Sequence, residues 1–460
     1  MPTSAENMNE TSTPVIIVGA GLCGLSAAYH LEAAGFKGYT MLERQPAAGG
    51  LASTDSGGGF SFDRCIHLLF TRDQYLLNLL GGGREGGGLK KFSRRSYCYT
   101  AGTYTGFPYQ QHNYGLPLRV ILGNILGLVR ARLGAGAKNA KNYEEWIYAA
   151  FGSGIAENCM LPYSRRLWAW DLKDMSFDWA EGHMPVPTVR DTVLGALLPR
   201  KKRFGQTSEF WYPRTGGIGS LATSLLEKIP AAKVSLNASV KAVNGPAREV
   251  IMADGRRLRY ETLISTMPLP ELIKLLGADV PEPLRVRAAG LKYNTVHTVN
   301  LGLEGRLSGL AGSAHWIYFL DDAAVFHRLG FPCNFSKWLA PEGCCSIQAE
   351  ISESERLPRN KETLIADTLR DLVKTGILGE KDILPASEGG RVRYAKLSTY
   401  APAYVICDHA RAETVAALKE FLGKYDIETR GRFGEWEYLN MDRVIMRGKD
   451  AAEAAMRKNI

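Results

Sequence analysis

Residues 13–44, TPVIIVGAGLCGLSAAYHLEAAGFKGYTMLER, open with an apolar run, Val15 to Val18, that reads as a fully buried strand. Gly19-Ala-Gly21-x-x-Gly24 follows at once, and a helical pattern then puts Leu25, Ala28 and Leu31 on one face. A second apolar strand ends at Glu43, 19 residues after Gly24. A glycine motif lodged between strand and helix, with an acid at that distance, is the signature of a dinucleotide site. Each part has a physical task. Gly19 permits the tight turn, Gly21 lets a pyrophosphate approach the backbone, and Gly24 allows close packing of helix on strand. The helix N-terminus supplies amide donors to the phosphates, and Glu43 is placed to accept hydrogen bonds from a ribose.

The remaining composition sets bounds on this reading. A chain of 460 residues predicts more than one domain. Hydrophobic content of 45% and charged content of 22% are those of a soluble globular protein. No apolar run reaches transmembrane length, and residues 1–13 lack a signal-peptide pattern and read as a disordered lead-in. The eight cysteines form no C-x-x-C and no zinc-type spacing, so reduced thiols, no metal site and a cytoplasmic location are expected. The net charge of +9 is modest for the length. The run PRKKRFG at 199–205 lacks interleaved aromatics and reads as an exposed loop, with no nucleic-acid partner.

Along the chain, GGGREGGG at 81–88 is a connection with no packing capacity. LPLRVILGNILGLVRARLGAG, 116–136, reads as a helix with apolar and basic faces. Two accounts of it are a groove-covering core helix and a shallow membrane contact, its apolar face being broken by Gly123, Asn124 and Gly127. The pattern predicts an α/β fold in which a Rossmann-like nucleotide domain comprises 14–100, 205–290 and 391–460. A helical cap is expected over 101–204 and an antiparallel-sheet substrate domain over 291–390.

A second glycine pair, Gly49-Gly50, follows the ribose acid in ERQPAAGGLAST. Its "E-R-x-x-x-x-G-G" form, with Glu43, Arg44, Gly49, Gly50 and Leu51, resembles the extension that contacts FAD in the amine oxidase and protoporphyrinogen oxidase clan. The resemblance therefore implies FAD rather than NAD. Within that clan the chain resembles the UDP-galactopyranose mutase branch, through GGLASTD, FPYQQHNYGLP, EEWIYAAFGSGIAENCMLPYSRRLWA, YPRTGGIGSL, WIYF…FHR and GRFGEWEYLNMD.

The resemblance implies interconversion of pyranose and furanose forms of a nucleotide sugar, through the N5 of reduced FAD as nucleophile, with NADPH or NADH as reductant. It also implies residue roles. Phe107, Tyr109 and Gln110 match a uracil-recognising segment, and Trp168 and Ser164 match the nucleotide pocket. Tyr318, Tyr404, Tyr438 and Arg328 match the groups that hold the diphosphate. Arg432, Asn440, Met441 and Asp442 match a flavin-binding segment, and Val240 an adenine contact. His67 matches the histidine beside the flavin ring.

Two departures stand out. His183 falls where the branch has a mobile-loop arginine, and Cys65-Ile66 replace a Gly-Gly pair next to the flavin. These departures keep two alternatives open: an FAD-dependent oxidoreductase of the amine oxidase type, and a non-catalytic flavin-binding protein.

Overall fold

The computed structural model describes residues 10–81, 88–134, 139–180, 184, 186–198 and 208–459. Two seven-stranded sheets organise them. In the first, Glu10–Val18 lies parallel to Tyr39–Leu42 on one side and to Arg257–Ser265 on the other. Val15, Ile16 and Ile17 have no exposure, as expected of a parallel strand covered on both faces. The helix Leu22–Ala33 covers one face together with the C-terminal helix Met441–Asn459. A Cβ at Gly448 would run into the carbonyl of Cys23, so the two helices touch through backbone.

The second sheet runs Val392–Val405, Tyr293–Glu304, Cys344–Glu353, Arg328–Gly330, Trp316–Phe319, Ser96–Thr100, Thr103–Gly106. Its strand Cys344–Glu353 alternates strictly: Cys345, Ile347, Ala349 and Ile351 enter an apolar core, while Ser346, Gln348, Glu350 and Ser352 take the other face. That polar face is also buried. It is satisfied by side chain–backbone bonds such as Gln348 Nε2 to the Asp63 carbonyl (2.8 Å) and Ser352 Oγ to the Leu167 carbonyl (2.8 Å). A buried polar sheet face is where this fold can keep charged groups in place.

The structure moves several expected boundaries. The first strand begins at Glu10, inside the stretch read as lead-in, because residues 10–13 continue the ladder with Arg257–Tyr260. Ser96–Thr100, placed with the nucleotide domain, pairs instead with Trp316–Phe319 in the second sheet. Thr103–Gly106, placed in the helical cap, joins the same sheet by pairing with Ser96–Thr100. Val392–Val405, also placed with the nucleotide domain, pairs with Tyr293–Glu304, so the chain returns to the first sheet after 405 rather than at 391. Most of GGGREGGG and all of PRKKRFG lie outside the described residues. Among those described, no helix is long and apolar enough to cross a membrane, and no group of His, Cys, Asp and Glu could hold a metal ion.

Candidate active site

The glycine loop forms a cradle of bare backbone. Gly19 sits at φ +100° against Thr266 Oγ1, and a Cβ on Gly24 would meet the carbonyl of Gly19. Above Gly21 the space is open, with nothing within 4 Å of where a Cβ would be. Gly21 also caps the helix Leu22–Ala33 without any side-chain acceptor, leaving its first amides for a ligand. Gly49 folds back to bridge Gly21, donating its N–H to the Ala20 carbonyl at 2.8 Å. Glu43 accepts from the amides of Ala20 and Gln45, both at 2.8 Å, which fixes its carboxylate at the end of the strand.

Of the other expected flavin contacts, Arg44 and Asn440 are exposed, Leu51 is half-buried, Met441 is buried and Val240 opens a neighbouring strand. Asp442 Oδ1 and Arg432 Nε are buried with no partner, and burial raises the Asp442 pKa. The open glycine floor near the N-terminus and the orphaned Arg432 and Asp442 atoms near the C-terminus fit a bound FAD.

The stretch 65–67 stands opposite the second sheet. Cys65 has a φ of +62°, the left-handed conformation that favours glycine. Ile66 donates its N–H to Glu350 Oε1 at 2.5 Å. Its side chain fits because position 330 is glycine: a Cβ there would lie 2.6 Å from Ile66 Cδ1. Burial first, and then the charge of Arg432, push the His67 imidazole down to about 4, so it is neutral near pH 7.

Glu350 also holds Arg328, with Nε to Oε2 at 2.6 Å and Nη2 to Oε2 at 2.5 Å. Burial is the largest single influence and opposes the Arg328 charge, but Glu350 together with Tyr404, Tyr163 and Tyr318 outweighs it and holds the guanidinium above its ordinary range. His327, beside the same carboxylate at 3.9 Å, is driven toward neutrality by burial and by Arg328. A second arginine, Arg94, stacks on Phe107 at 3.7 Å and donates to the Tyr318 hydroxyl at 3.1 Å. Phe107 and Tyr318 are themselves in ring contact at 5.0 Å.

Trp168 meets Tyr404 and Tyr438 edge-on at 5.7 and 5.8 Å, while Arg432 lies 5.1 Å from both tyrosine rings. Arg166 anchors the turn between Tyr318 and Arg328 by donating to the carbonyls of Phe319, Asp321, Ala324 and Phe326.

The expected site residues thus divide. Arg328, Tyr318, Tyr404, Tyr438, Trp168, Phe107 and Arg432 lie along one wall, and the 65–67 loop that carries His67 reaches it where Cys65 packs with Tyr404. Tyr109 does not supply a stacking face: its ring is 1% exposed in the core, and its hydroxyl accepts from Asn124 at 3.0 Å. Gln110 is buried and its carbonyl is held by Thr192, while Ser164 is buried against Tyr143. His183 lies outside the described residues. Sequence reasoning missed Glu350 and Arg94; it named Arg166 as a stand-in for the loop arginine, and the structure instead commits that guanidinium to backbone carbonyls. Glu350 carried one signal, a carboxylate at the centre of the alternating stretch AEIS, between Ala349 and Ile351.

Residues 22–337 match the family described as flavin containing amine oxidoreductase. Among solved structures, a reduced UDP-galactopyranose mutase is 26% identical and superposes with a TM-score of 0.90, over 97% of this chain and 94% of that one. A putrescine oxidase bound to putrescine (17% identical, TM-score 0.65, 98% and 100% covered) shares the fold. So does a CLA-producing fatty acid isomerase from P. acnes (14% identical, TM-score 0.64, 96% and 98% covered). At those identities the last two speak to the fold alone.

Proposed function

The chain belongs to the flavin containing amine oxidoreductase family, and from that premise we propose that it is a nucleotide-sugar mutase of the UDP-galactopyranose mutase type. The observation that carries this reading is one wall on which Arg328, Tyr318, Tyr404, Tyr438 and Trp168 converge beside the 65–67 loop. Reduced FAD, when bound, supplies a nucleophilic ring nitrogen for attack at an anomeric carbon. The chain's own residues do the rest. Arg328 and Arg94 provide fixed positive charge for a diphosphate leaving group, and the half-buried tyrosines provide hydroxyl donors to its oxygens. Neutral His67 adds no charge beside the ring, and the aromatic wall limits water at the sugar.

The test is direct. Protein reduced with dithionite and given UDP-galactopyranose should form the furanose isomer, and UDP should perturb the flavin absorbance. Absence of both would sink the proposal. One observation favours a second reading, an FAD-dependent oxidation of a less charged substrate. Arg328 is already paired with Glu350, which reduces the uncompensated charge available to a diphosphate. Substrate-dependent peroxide formation without furanose product would select it.

A further inference from the structure

The helix Leu118–Leu133 is built inside out. Its inward face consists of Asn124, Gly127 and Leu128, with the Gly123 carbonyl turned toward Gly154. Asn124 has no exposure, and its side-chain amide donates to Asn113 Oδ1 at 2.6 Å and accepts from Asn158 at 3.1 Å. A Cβ on Gly127 would lie 2.7 Å from Gly154 N, so this helix meets the helix Tyr143–Ile155 backbone to backbone. Its outward face carries Leu118, Leu122, Leu126 and Leu133, exposed by 70, 49, 52 and 84%. At about 100° per residue the four leucines fall within an arc of about 80°. Arg119 and Arg130, both exposed, flank that arc on one side.

The neighbouring helix Val189–Leu197 repeats the arrangement. Gly195 backs onto the Gln111 carbonyl and Thr192 is buried, while Leu197 and Leu198 are 65 and 59% exposed. Burying an amide and glycines while exposing leucines reverses what water alone selects.

We propose that these two helices form a docking surface for an anionic lipid bilayer, lying in the plane of its headgroups. The contact is in-plane because no described helix is long and apolar enough to cross. Charge selects the occupant. Anionic headgroups complement Arg119 and Arg130, whereas a second copy of this helix, which carries no Asp or Glu, brings no opposite charge to them. The net charge of +9 acts in the same direction.

The test uses the full chain loaded with FAD, floated with phosphatidylcholine vesicles with or without about 30 mol% phosphatidylglycerol. Binding should be about tenfold stronger on the anionic vesicles and weaken with salt. Leu122→Ser with Leu126→Ser should reduce binding about tenfold or more, with the flavin spectrum and melting temperature unchanged. Arg119→Gln with Arg130→Gln should remove the preference for anionic vesicles. No flotation on either vesicle, or flotation undiminished by the serine variants, overturns the proposal. So does a dimer in light scattering that the serine variants convert to monomer, which would make the occupant a second copy.

Discussion

Glu350 is a buried carboxylate with two bonds to keep: one oxygen accepts from the Ile66 amide, and the other pairs with Arg328. Removing its charge leaves a guanidinium in a low-dielectric site with nothing to balance it. Glu350→Gln should therefore cost about 3 kcal/mol of stability, read from urea unfolding. A loss under about 1 kcal/mol would mean that solvent already screens the pair. The carboxylate was only faintly legible in the sequence. Alternation in CSIQAEIS marks Glu350 as lying on the opposite face from Ile347 and Ile351, but does not say that both faces are covered. Cys65 was legible as a departure from glycine. That it nonetheless holds φ +62° needed the backbone itself.

At the scale of elements, the helix Leu118–Leu133 shows what periodicity gives and withholds. Its existence and near-complete extent follow from the pattern over 116–136. Which face turns inward does not, because Gly123, Asn124 and Gly127 read as breaks in an apolar face and are in fact the packing face. Small residues let two helices approach to backbone contact, and no hydrophobic count registers that. Gly154→Ala would press a methyl group into the Gly123 carbonyl. It should cost about 1–3 kcal/mol, measured by thermal unfolding followed by circular dichroism. An unchanged melting temperature would show that the helices can separate without penalty. The glycine-loop unit lies at the other extreme: strand, glycine loop and helix are local in sequence, and all were readable there.

At the scale of the molecule, the second sheet draws strands from three separated stretches of chain, 96–106, 293–353 and 392–405, and this is why domain boundaries drawn along the sequence failed at residues 96–106 and 392–405. Long-range pairing leaves no local mark. The glycine floor and the unpartnered Asp442 and Arg432 atoms make the cofactor part of the fold's own balance. Stripping FAD should lower the melting temperature. Restoring it at 1,000-fold over its dissociation constant should return about 4 kcal/mol, checked by calorimetry with increasing FAD. No change on stripping would argue that the cradle is stable empty.

The contact between Ile66 and Gly330 joins the glycine-loop half of the chain to the second sheet. A Cβ on residue 330 would meet Ile66 Cδ1 at 2.6 Å and Cγ1 at 2.9 Å, so a side chain there has to displace the end of the isoleucine. Two positions more than 260 residues apart therefore share one allowance of space, and the volume that either may take is set by the other.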